Sequence, residues 1–198
     1  MAVPPPLSEL ALSPVPRMIE DKAVLRARLG AARQAFAADA KTPIALSPQF
    51  LARLAPGVTV ASYIPVRGEA DPSPLARAAV AAGCVIALPH VTRRSEPMRF
   101  LAWDAEADLI PGPFGLHQPR HDAPALAPDI VLAPLVAFDA ALNRLGQGAG
   151  YYDRAFAAFP AAWRIGIAWS MQQVTELPVD AWDVSLHAVA TEKGWIMS

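Results

Sequence analysis

The sequence predicts an α/β protein, a three-layer α/β/α sandwich around a mostly parallel central sheet. Residues 129–138 (DIVLAPLVAF) and 164–169 (RIGIAW) are almost continuous apolar runs, which is typical of strands buried on both faces. Predicted strands also alternate with predicted helices along the chain. This order favours parallel strands that are connected by helices packed against the sheet.

Four helices are predicted from apolar periodicity and from helix-start signals. The first covers Glu20 to Ala38, where apolar residues recur at the spacing of one helix face. Ser47-Pro48 and Asp71-Pro72 each combine a capping side chain with a proline suited to the first helical position. They predict a short second helix and a third that ends near Ala82. The fourth helix is predicted from Tyr151 to about Phe159.

Further strands are predicted from shorter apolar runs. They are Val58–Val66, Cys84–Val91, Met98–Trp103 and Ala188–Ile196. The single cysteine, Cys84, excludes an intrachain disulfide, and its apolar surroundings predict a small buried residue rather than a nucleophile.

Composition places the chain in the folded, globular class. It has 198 residues, of which 54% are hydrophobic and 18% charged, unlike a disordered chain. This length suits one domain, which we expect over residues 20–198 behind a proline-rich tail, residues 1–19. The net charge of −1 predicts no nucleic-acid or membrane partner, since both need a basic excess. We expect a monomer, and a cytoplasmic one because no signal-peptide pattern is present.

A glycine-rich segment lies between a predicted buried strand and the fourth predicted helix. Residues 143–154 read NRLGQGAGYYDR, with glycines at 146, 148 and 150. Glycine adopts positive φ without strain, so backbone N–H groups can converge here, and such groups at a helix start bind anions. The helix dipole adds about 0.3–1 kcal/mol for a nearby negative charge. Arg144 can add a charge-assisted contact to a phosphate.

The glycine spacing excludes two familiar phosphate loops. No lysine follows the glycines as a Walker A loop requires, and the third glycine falls one residue early for a dinucleotide fingerprint. A phosphate loop of another type is therefore predicted, with a tight strand-to-helix turn without ligand as the alternative. Asp153, in the first turn of the following helix, suits either a Mg²⁺ ligand or an ordinary helix-start carboxylate.

Five segments, taken in order, resemble the 5-formyltetrahydrofolate cyclo-ligases, also called 5,10-methenyltetrahydrofolate synthetases. The most specific is NRLGQGAGYYD at 143–153, which looks like the family's signature. KAVLR at 22–26 is similar to a Lys-x-x-x-Arg motif on the family's first helix, and YIPVRGE at 63–69 to a segment that meets the folate. GPFGLHQP at 112–119 and LPVDAWD at 177–183 resemble a loop and a C-terminal element. The resemblance spans about residues 20–195.

This resemblance implies an activity and a fold. Family members convert 5-formyltetrahydrofolate and ATP to 5,10-methenyltetrahydrofolate, ADP and phosphate, with Mg²⁺ as cofactor. Their fold is a three-layer α/β/α structure, which agrees with the pattern of predicted elements. The amide-like formyl oxygen leaves poorly, so its phosphorylation creates a leaving group that attack by N10 can expel. Such chemistry needs positioning and charge neutralisation more than a protein nucleophile.

Site residues follow from the matched positions. The expected ATP contacts are made by Lys22, Arg26, Arg144, Leu145, Gly146, Gln147, Gly148, Ala149, Gly150, Tyr151 and Tyr152. The expected folate contacts are made by Ile64, Glu69, Phe114, Gln147, Gly148, Ala149, Gly150 and Tyr151. Oxygen ligands suit hard cations, and the expected Mg²⁺ pair is Asp153 and Asp183.

Several of these residues have structural alternatives. Lys22 and Arg26 share a helix face and could belong to a solvated basic surface, while the role of Arg33 on the same stripe is undecided. Glu69 could be a surface carboxylate, and Asp183 a turn residue. Phe114, Tyr151 and Tyr152 could serve packing alone.

No classical acid, base or nucleophile is expected. The four histidines, His90, His117, His121 and His187, show no mutual spacing of a catalytic or metal site, and no serine-hydrolase elbow is present. Three positions depart from the family's usual residues, namely Gln147, Ala149 and Trp182. The first two lie in the loop, so they bear on substrate affinity.

Two other functions are compatible with the sequence. A non-catalytic relative could bind folate or nucleotide without turnover, which the departures at Gln147 and Ala149 allow. An enzyme of similar architecture, such as a sugar-phosphate isomerase, is suggested by fold analogy alone. Folate-dependent ATP hydrolysis separates the first alternative from the cyclo-ligase, and nucleotide binding separates the second.

Overall fold

The computed structural model describes residues 20–105 and 107–197. The predicted tail, residues 1–19, lies outside that part, so the domain boundary remains a prediction. The helices are α1 Lys22–Asp39, α2 Pro48–Leu51, α3 Ser73–Ala81 and α4 Tyr151–Ala158, with short 3-10 helices at Pro113–Gly115 and Ser170–Gln172. The strands are β1 Thr59–Ala61, β2 Val85–His90, β3 Arg99–Ala102, β4 Ile110–Pro111, β5 His117–Gln118, β6 Ile130–Pro134, β7 Ala137–Phe138, β8 Arg144–Leu145, β9 Trp163–Ile167, β10 Ala188–Thr191 and β11 Gly194–Met197.

The central sheet has seven strands in the order β11-β10-β9-β6-β1-β2-β3. The five inner strands are mutually parallel, since β1 pairs in parallel with β2 and β6, and β9 with β6 and β10. Only the edge strands β3 and β11 run antiparallel to their neighbours. The mostly parallel sheet predicted from the apolar runs is confirmed.

Helices pack on both faces of this sheet, which gives the predicted three layers. Alternate residues of β6 face opposite ways: Val131 belongs to the core beneath Phe156 of α4, whereas Leu132 belongs to the core beneath α3 and α2. This alternation is the two-residue period of a strand. It explains why residues 129–138 are apolar at nearly every position.

Of the two predicted caps, Ser47 is confirmed at α2, but Asp71 is wrong for α3, whose N-cap is Pro72 without a capping side chain. Asp21 caps α1 by accepting a hydrogen bond from the Ala23 N–H at 2.7 Å, and Ser47 caps α2 by accepting from the Phe50 N–H at 3.1 Å. Each side chain satisfies a backbone donor that the first helical turn leaves free. No helix among residues 20–105 and 107–197 is long and apolar enough to cross a membrane.

The predicted strand 129–138 is wrong as one element, because it breaks into β6 and β7. Two polar side chains donate hydrogen bonds to the backbone carbonyls at the break. Gln172 Nε2 donates to the carbonyls of Leu135 at 2.7 Å and Val136 at 3.1 Å. Arg33 Nη1 donates to the Leu135 carbonyl at 3.1 Å. β7 then pairs antiparallel with β8 as a separate hairpin. The break matters for the site because it leads the chain out of the sheet toward the glycines.

Three smaller predictions also need correction. The strand Val58–Val66 reduces to β1, since the chain after it turns through positive φ at Arg67 and Gly68. The strand Ala188–Ile196 is the hairpin β10–β11, which turns just before Gly194. Cys84 precedes β2 and is only partly buried, with its thiol near the Ala55 carbonyl.

Candidate active site

The predicted site residues gather at one edge of the central sheet. The segment holding Glu69 follows β1, and the glycine loop, residues 146–150, comes after β6 and the β7–β8 hairpin. β1 and β6 are neighbours from which the chain continues in opposite directions, to β2 on one side and β9 on the other. Ligands bind beyond the carboxyl ends of parallel strands at such a topological switch point.

The glycine loop requires glycine for two separate reasons. Gly148 and Gly150 have φ of 93° and 67°, which residues with a side chain rarely adopt. A Cβ at Gly146 would lie 2.6 Å from Arg144 Nη1, so this glycine leaves room for the guanidinium. Gly150 also forms the N-cap of α4. The loop is thus a constrained strand-to-helix connection of the type that binds anions.

Three arginines from separate segments hold the carbonyls of this loop. Arg26 Nε donates to the Gly146 carbonyl at 2.8 Å. Arg94, in the segment after β2, donates to Gly148 at 3.1 Å, and Arg154 of α4 donates to Ala149 at 3.1 Å. Each contact fixes the loop and also places positive charge beside it.

Lys22 and Arg144, named here the paired cations, are each bound to carboxylates. Lys22 Nζ lies 2.6 Å from Asp180 and 2.5 Å from Asp183, and Arg144 Nη2 lies 2.6 Å from Asp153. The Lys22 side chain is 19% exposed and binds residues of the C-terminal element. The alternative that Lys22 and Arg26 form a solvated basic face is therefore wrong.

The pKa values of the Lys22–Asp183 pair move apart, as expected for an ion pair. Burial lowers the pKa of Lys22, but hydrogen bonds to Asp180 and Asp183 outweigh it and raise the pKa overall. Burial raises the pKa of Asp183, but the Asp180 N–H and Lys22 outweigh it and lower the pKa overall, helped by the charge of Arg144. Both groups are therefore held in their charged forms.

Asp153 and Asp183 have a donor set that fits Mg²⁺. Cations bind Oδ1 of Asp153 and Oδ2 of Asp183, and the charge of Arg144 acts on Asp183 as well. Within the described part of the chain, no group of three or more His, Cys, Asp or Glu side chains could hold a metal ion. Mg²⁺ commonly takes one or two protein carboxylates and completes its shell with substrate phosphates and water.

Glu69 lies inside the protein rather than on its surface. Its side chain is 7% exposed, lies 3.7 Å from Arg33 Nη1 and accepts a hydrogen bond from the Val66 N–H at 3.1 Å. Burial raises the pKa of Glu69. Hydrogen bonds from Val66 and Gln147 and the charge of Arg33 act in the opposite direction and offset part of this rise. The surface alternative is wrong, and Gln147 is brought from the glycine loop to this carboxylate.

The aromatic candidates separate into different environments. Phe114 is 56% exposed, with φ of 64°, so packing in the core does not explain it. Its ring lies 6.4 Å from that of Tyr151, over which Arg154 is placed at 5.1 Å. Tyr152 instead packs on Phe156 at 6.0 Å, and burial raises its pKa. Phe114 and Tyr151 therefore form an accessible aromatic pair, while Tyr152 supports α4.

Two other predicted contact residues have limited access. The Leu145 side chain is buried in the cluster that contains Leu25 and Leu29 of α1, so only its backbone can adjoin the loop. Ile64 is partly buried just after β1, where it can contribute an apolar wall.

Three arginines near the site were not predicted as ligand contacts. Arg33 is 2% exposed. Its guanidinium lies 3.7 Å from Glu69 and also donates a hydrogen bond to the Arg67 carbonyl at 3.1 Å. Its position on the Lys22–Arg26 stripe was the only sequence signal for it. Arg154 ends the segment 143–154 itself, so its nearness in sequence was the signal for it. Arg94 lies 54 positions from Gly148, and only the fold brings it to the loop.

Together the fold and site define a class: an α/β protein with a constrained glycine loop at the switch point of a mostly parallel sheet, close to the buried carboxylate of Glu69. A sequence profile of the 5-formyltetrahydrofolate cyclo-ligase family matches residues 18–192. The chain is 34% identical over 145 residues to the 5-formyltetrahydrofolate cyclo-ligase of Escherichia coli K12, covering 69% of this chain and 80% of that protein. The chain belongs to the 5-formyltetrahydrofolate cyclo-ligase family.

Solved structures agree with this assignment. The 5,10-methenyltetrahydrofolate synthetase of Aquifex aeolicus superposes with a TM-score of 0.65 at 27% identity, covering 89% of this chain and 92% of that one. The 5,10-methenyltetrahydrofolate synthetase of Mycoplasma pneumoniae superposes with a TM-score of 0.60 at 23% identity, covering 86% and 98%. The second likeness supports the fold alone. The α/β architecture predicted from the sequence is confirmed.

Proposed function

We propose that this protein uses ATP to cyclise 5-formyltetrahydrofolate to 5,10-methenyltetrahydrofolate, with release of ADP and phosphate. The observation that carries the proposal is the constrained glycine loop at the start of α4, fixed through its carbonyls by Arg26, Arg94 and Arg154, close to the buried carboxylate of Glu69. The loop suits the phosphates of ATP, and the carboxylate suits a ligand rich in N–H donors. Family membership and the named relatives support the same reaction.

In this proposal the glycine loop and the first helix hold the triphosphate. Lys22, Arg26 and Arg144 supply positive charge, and the start of α4 supplies backbone N–H groups. Transfer of the γ-phosphoryl group depends mainly on alignment and on neutralising its oxygens. The loop is already fixed by hydrogen bonds to its carbonyls, which reduces the reorganisation that binding requires.

Glu69 is the proposed anchor for the pterin ring. An ionised carboxylate accepts hydrogen bonds only, and the pterin edge offers several N–H donors. Arg33 and the Val66 N–H hold the carboxylate in place. Ile64 adds apolar contact, and Phe114 and Tyr151 are placed to contact the benzoyl ring.

The reaction then proceeds in two steps at the formyl carbon. The formyl oxygen attacks the γ-phosphorus of ATP, and the bond to ADP breaks. The N10 lone pair attacks the activated carbon, N10 loses its proton, and the carbon–oxygen bond breaks to release phosphate. The protein holds N10 and the formyl group within reach of each other, which accounts for much of the acceleration.

Mg²⁺ belongs to the proposal as the cofactor, held by Asp153 and Asp183. When bound it neutralises charge on the phosphate oxygens. Arg144 and Lys22 hold these carboxylates in the described structure, so the two aspartates remain charged and oriented. The protein is further proposed to act as a cytoplasmic monomer without nucleic-acid or membrane partners, which sedimentation of the purified chain and localisation of a tagged one would test.

The first test is absorbance of the methenyl product after mixing purified protein with 5-formyltetrahydrofolate, ATP and Mg²⁺. We expect product with ATP and none when ATP is omitted. If the protein binds ATP but neither forms the product nor hydrolyses ATP in the presence of folate, the non-catalytic alternative is favoured. If the protein does not bind ATP, both the cyclo-ligase proposal and the non-catalytic alternative are contradicted.

A further inference from the structure

The turn at residues 180–183 holds an exposed tryptophan beside the paired cation Lys22. Two hydrogen bonds close this turn: the Asp183 N–H donates to the Asp180 carbonyl at 3.0 Å, and the Asp180 N–H donates to Asp183 Oδ2 at 2.8 Å. Lys22 Nζ lies 2.6 Å from Asp180 and 2.5 Å from Asp183, so α1 also fixes the turn. The backbone of Trp182 is therefore held one residue from a proposed Mg²⁺ ligand.

The bonds that hold this turn do not involve the Trp182 side chain. They are made by backbone groups, by the two aspartates and by Lys22. Trp182 is 71% exposed, whereas a tryptophan in a folded protein usually buries most of its large apolar surface. The indole is thus a flat apolar surface, open to a ligand, that the local structure does not explain.

The other four tryptophans have partners inside the protein. Trp103, Trp169 and Trp195 each donate the indole N–H to a backbone carbonyl. Trp163 stacks on Trp195, with 6.2 Å between ring centroids and 17° between ring planes. Within residues 20–105 and 107–197, the Trp182 side chain has no hydrogen bond, ring contact or cation contact. Trp182 therefore differs from the others in having its ring face free.

The groups of the site follow one another from the folate pocket to Trp182. The charge of Glu69 acts on Tyr152 in the first turn of α4. The guanidinium of Arg144 lies 5.7 Å over the same Tyr152 ring, and its charge acts in turn on Asp183. Trp182 adjoins Asp183 in the turn. Glu69 and Trp182 are thus at the two ends of this series, with the phosphate-binding groups between them.

In the proposed reaction, the two ends of ATP need different surroundings. The γ-phosphorus must reach the formyl oxygen, so it lies on the side of Glu69, while the glycine loop, Lys22 and Arg144 bind the phosphates. The base is at the opposite end of the molecule and lies beyond Asp183. We propose that Trp182 binds the adenine of ATP by stacking its indole on the base. This inference rests on the proposed function.

The test compares the KM for ATP in three substitutions of Trp182. Stacking on an aromatic side chain contributes about tenfold in affinity for a base, so Trp182→Ala should raise the KM for ATP about tenfold. Trp182→Phe should restore most of the affinity because it keeps a flat ring, whereas Trp182→Leu should not. The KM for GTP should change by the same factors, because stacking uses the face of a base and not its edge.

Val179→Ala is the matched control, because Val179 is an exposed apolar residue of the same segment. It should leave the KM for ATP at the wild-type value. Equal rescue by Trp182→Leu and Trp182→Phe would reduce the role of the side chain to apolar cover, which overturns the inference. A rise in the KM for 5-formyltetrahydrofolate as well, with a lower urea midpoint, would assign Trp182 to the structure of the turn and overturn it too.

A binding measurement tests the same contact without turnover. ADP added to the wild-type protein in the absence of folate should quench the part of the tryptophan fluorescence that comes from Trp182. This quenching should be lost in Trp182→Phe, in which calorimetry should still detect ADP binding. Quenching of the same size in Trp182→Phe would overturn the inference.

Failure of the inference and failure of the proposed function give different results. ATP-dependent turnover with the same KM for ATP in wild type and Trp182→Ala would refute the base contact alone. No turnover by the wild-type protein would refute the proposed function. The ADP titration would then still decide the base contact: loss of quenching in Trp182→Phe supports it, and no binding of ADP overturns it.

Discussion

The paired cations differ from two other cations at the glycine loop, Arg94 and Arg154, in the partners that their charges have. Lys22 and Arg144 are bound to Asp180, Asp183 and Asp153 at 2.5–2.6 Å, whereas Arg94 and Arg154 bind backbone carbonyls. A phosphate can replace the carboxylate as the partner of a paired cation, and the released carboxylate can then hold a metal ion. The two groups of cations are distinguished by their partners, carboxylates for one and backbone carbonyls for the other, rather than by the number of basic residues.

The largest effect should come from Asp153→Asn, which removes a carboxylate from the paired side. We expect Mg²⁺-dependent turnover to fall roughly a hundredfold, because loss of a metal-site group typically costs ten- to a hundredfold. The fold should stay intact, since Asn keeps the size of the side chain. Steady-state kinetics over a Mg²⁺ titration measure the first effect, and thermal unfolding the second.

Asp122→Asn is the control for that variant. Asp122 also pairs with an arginine, Arg120, at 3.3 Å, but on the exposed surface. It should leave turnover at the wild-type level. Normal turnover in Asp153→Asn would remove Asp153 from the site and weaken the distinction between the two sides.

An intermediate effect is expected from Lys22→Met. Loss of one charge-assisted contact to a phosphate should raise the KM for ATP about tenfold, while the KM for folate changes little. Lys193→Met, at the exposed β10–β11 turn, is the matched control. A variant that unfolds more easily but keeps its KM for ATP would show that Lys22 only anchors Asp180 and Asp183.

The smallest effect concerns stability and pH on the paired side. The pKa of Asp183 lies below its ordinary value of 3.8, so the folded state favours the charged carboxylate. The resulting stability is present above pH 3.8 and is lost as pH falls through the lower folded pKa. Asp183→Asn should therefore cost up to about 1 kcal/mol at neutral pH and almost nothing in strong acid.

Urea unfolding at neutral pH and at about pH 2.5 would measure this difference. Arg94→Ala serves as the comparison, because Arg94 binds the Gly148 carbonyl, which does not titrate, so the cost of this variant should not depend on pH in the same way. An equal cost of Asp183→Asn at both pH values would mean that its ion pair with Lys22 contributes no stability.

Much of the architecture could be predicted because its signals are local. The apolar runs at 129–138 and 164–169 indicated buried parallel strands, and the predicted cap at Ser47 acts as the chemistry of helix starts requires. The glycine spacing likewise indicated the anion loop and the family. In each case a residue's near neighbours in sequence decide the outcome.

Where local signals competed with distant groups, prediction failed. The strand at 129–138 breaks because Arg33 and Gln172, which lie far away in sequence, take its carbonyls. Within the strand, the local signal for the break is Pro134, which has no N–H to donate to a neighbouring strand. Arg94 has no such signal, since its segment after β2 has no phosphate-binding motif of its own.

By itself, then, the sequence determined the α/β class, the order of most elements, the glycine loop and the stripe of Lys22 and Arg26. Only the tertiary structure decided which charges meet. It joined Lys22 to Asp183 across 161 positions and Arg33 to Glu69, and it placed Arg94 against the Gly148 carbonyl across 54 positions. The reason is that backbone periodicity and capping depend on neighbours along the chain, whereas the energy of a charge depends on groups and burial that folding alone brings together.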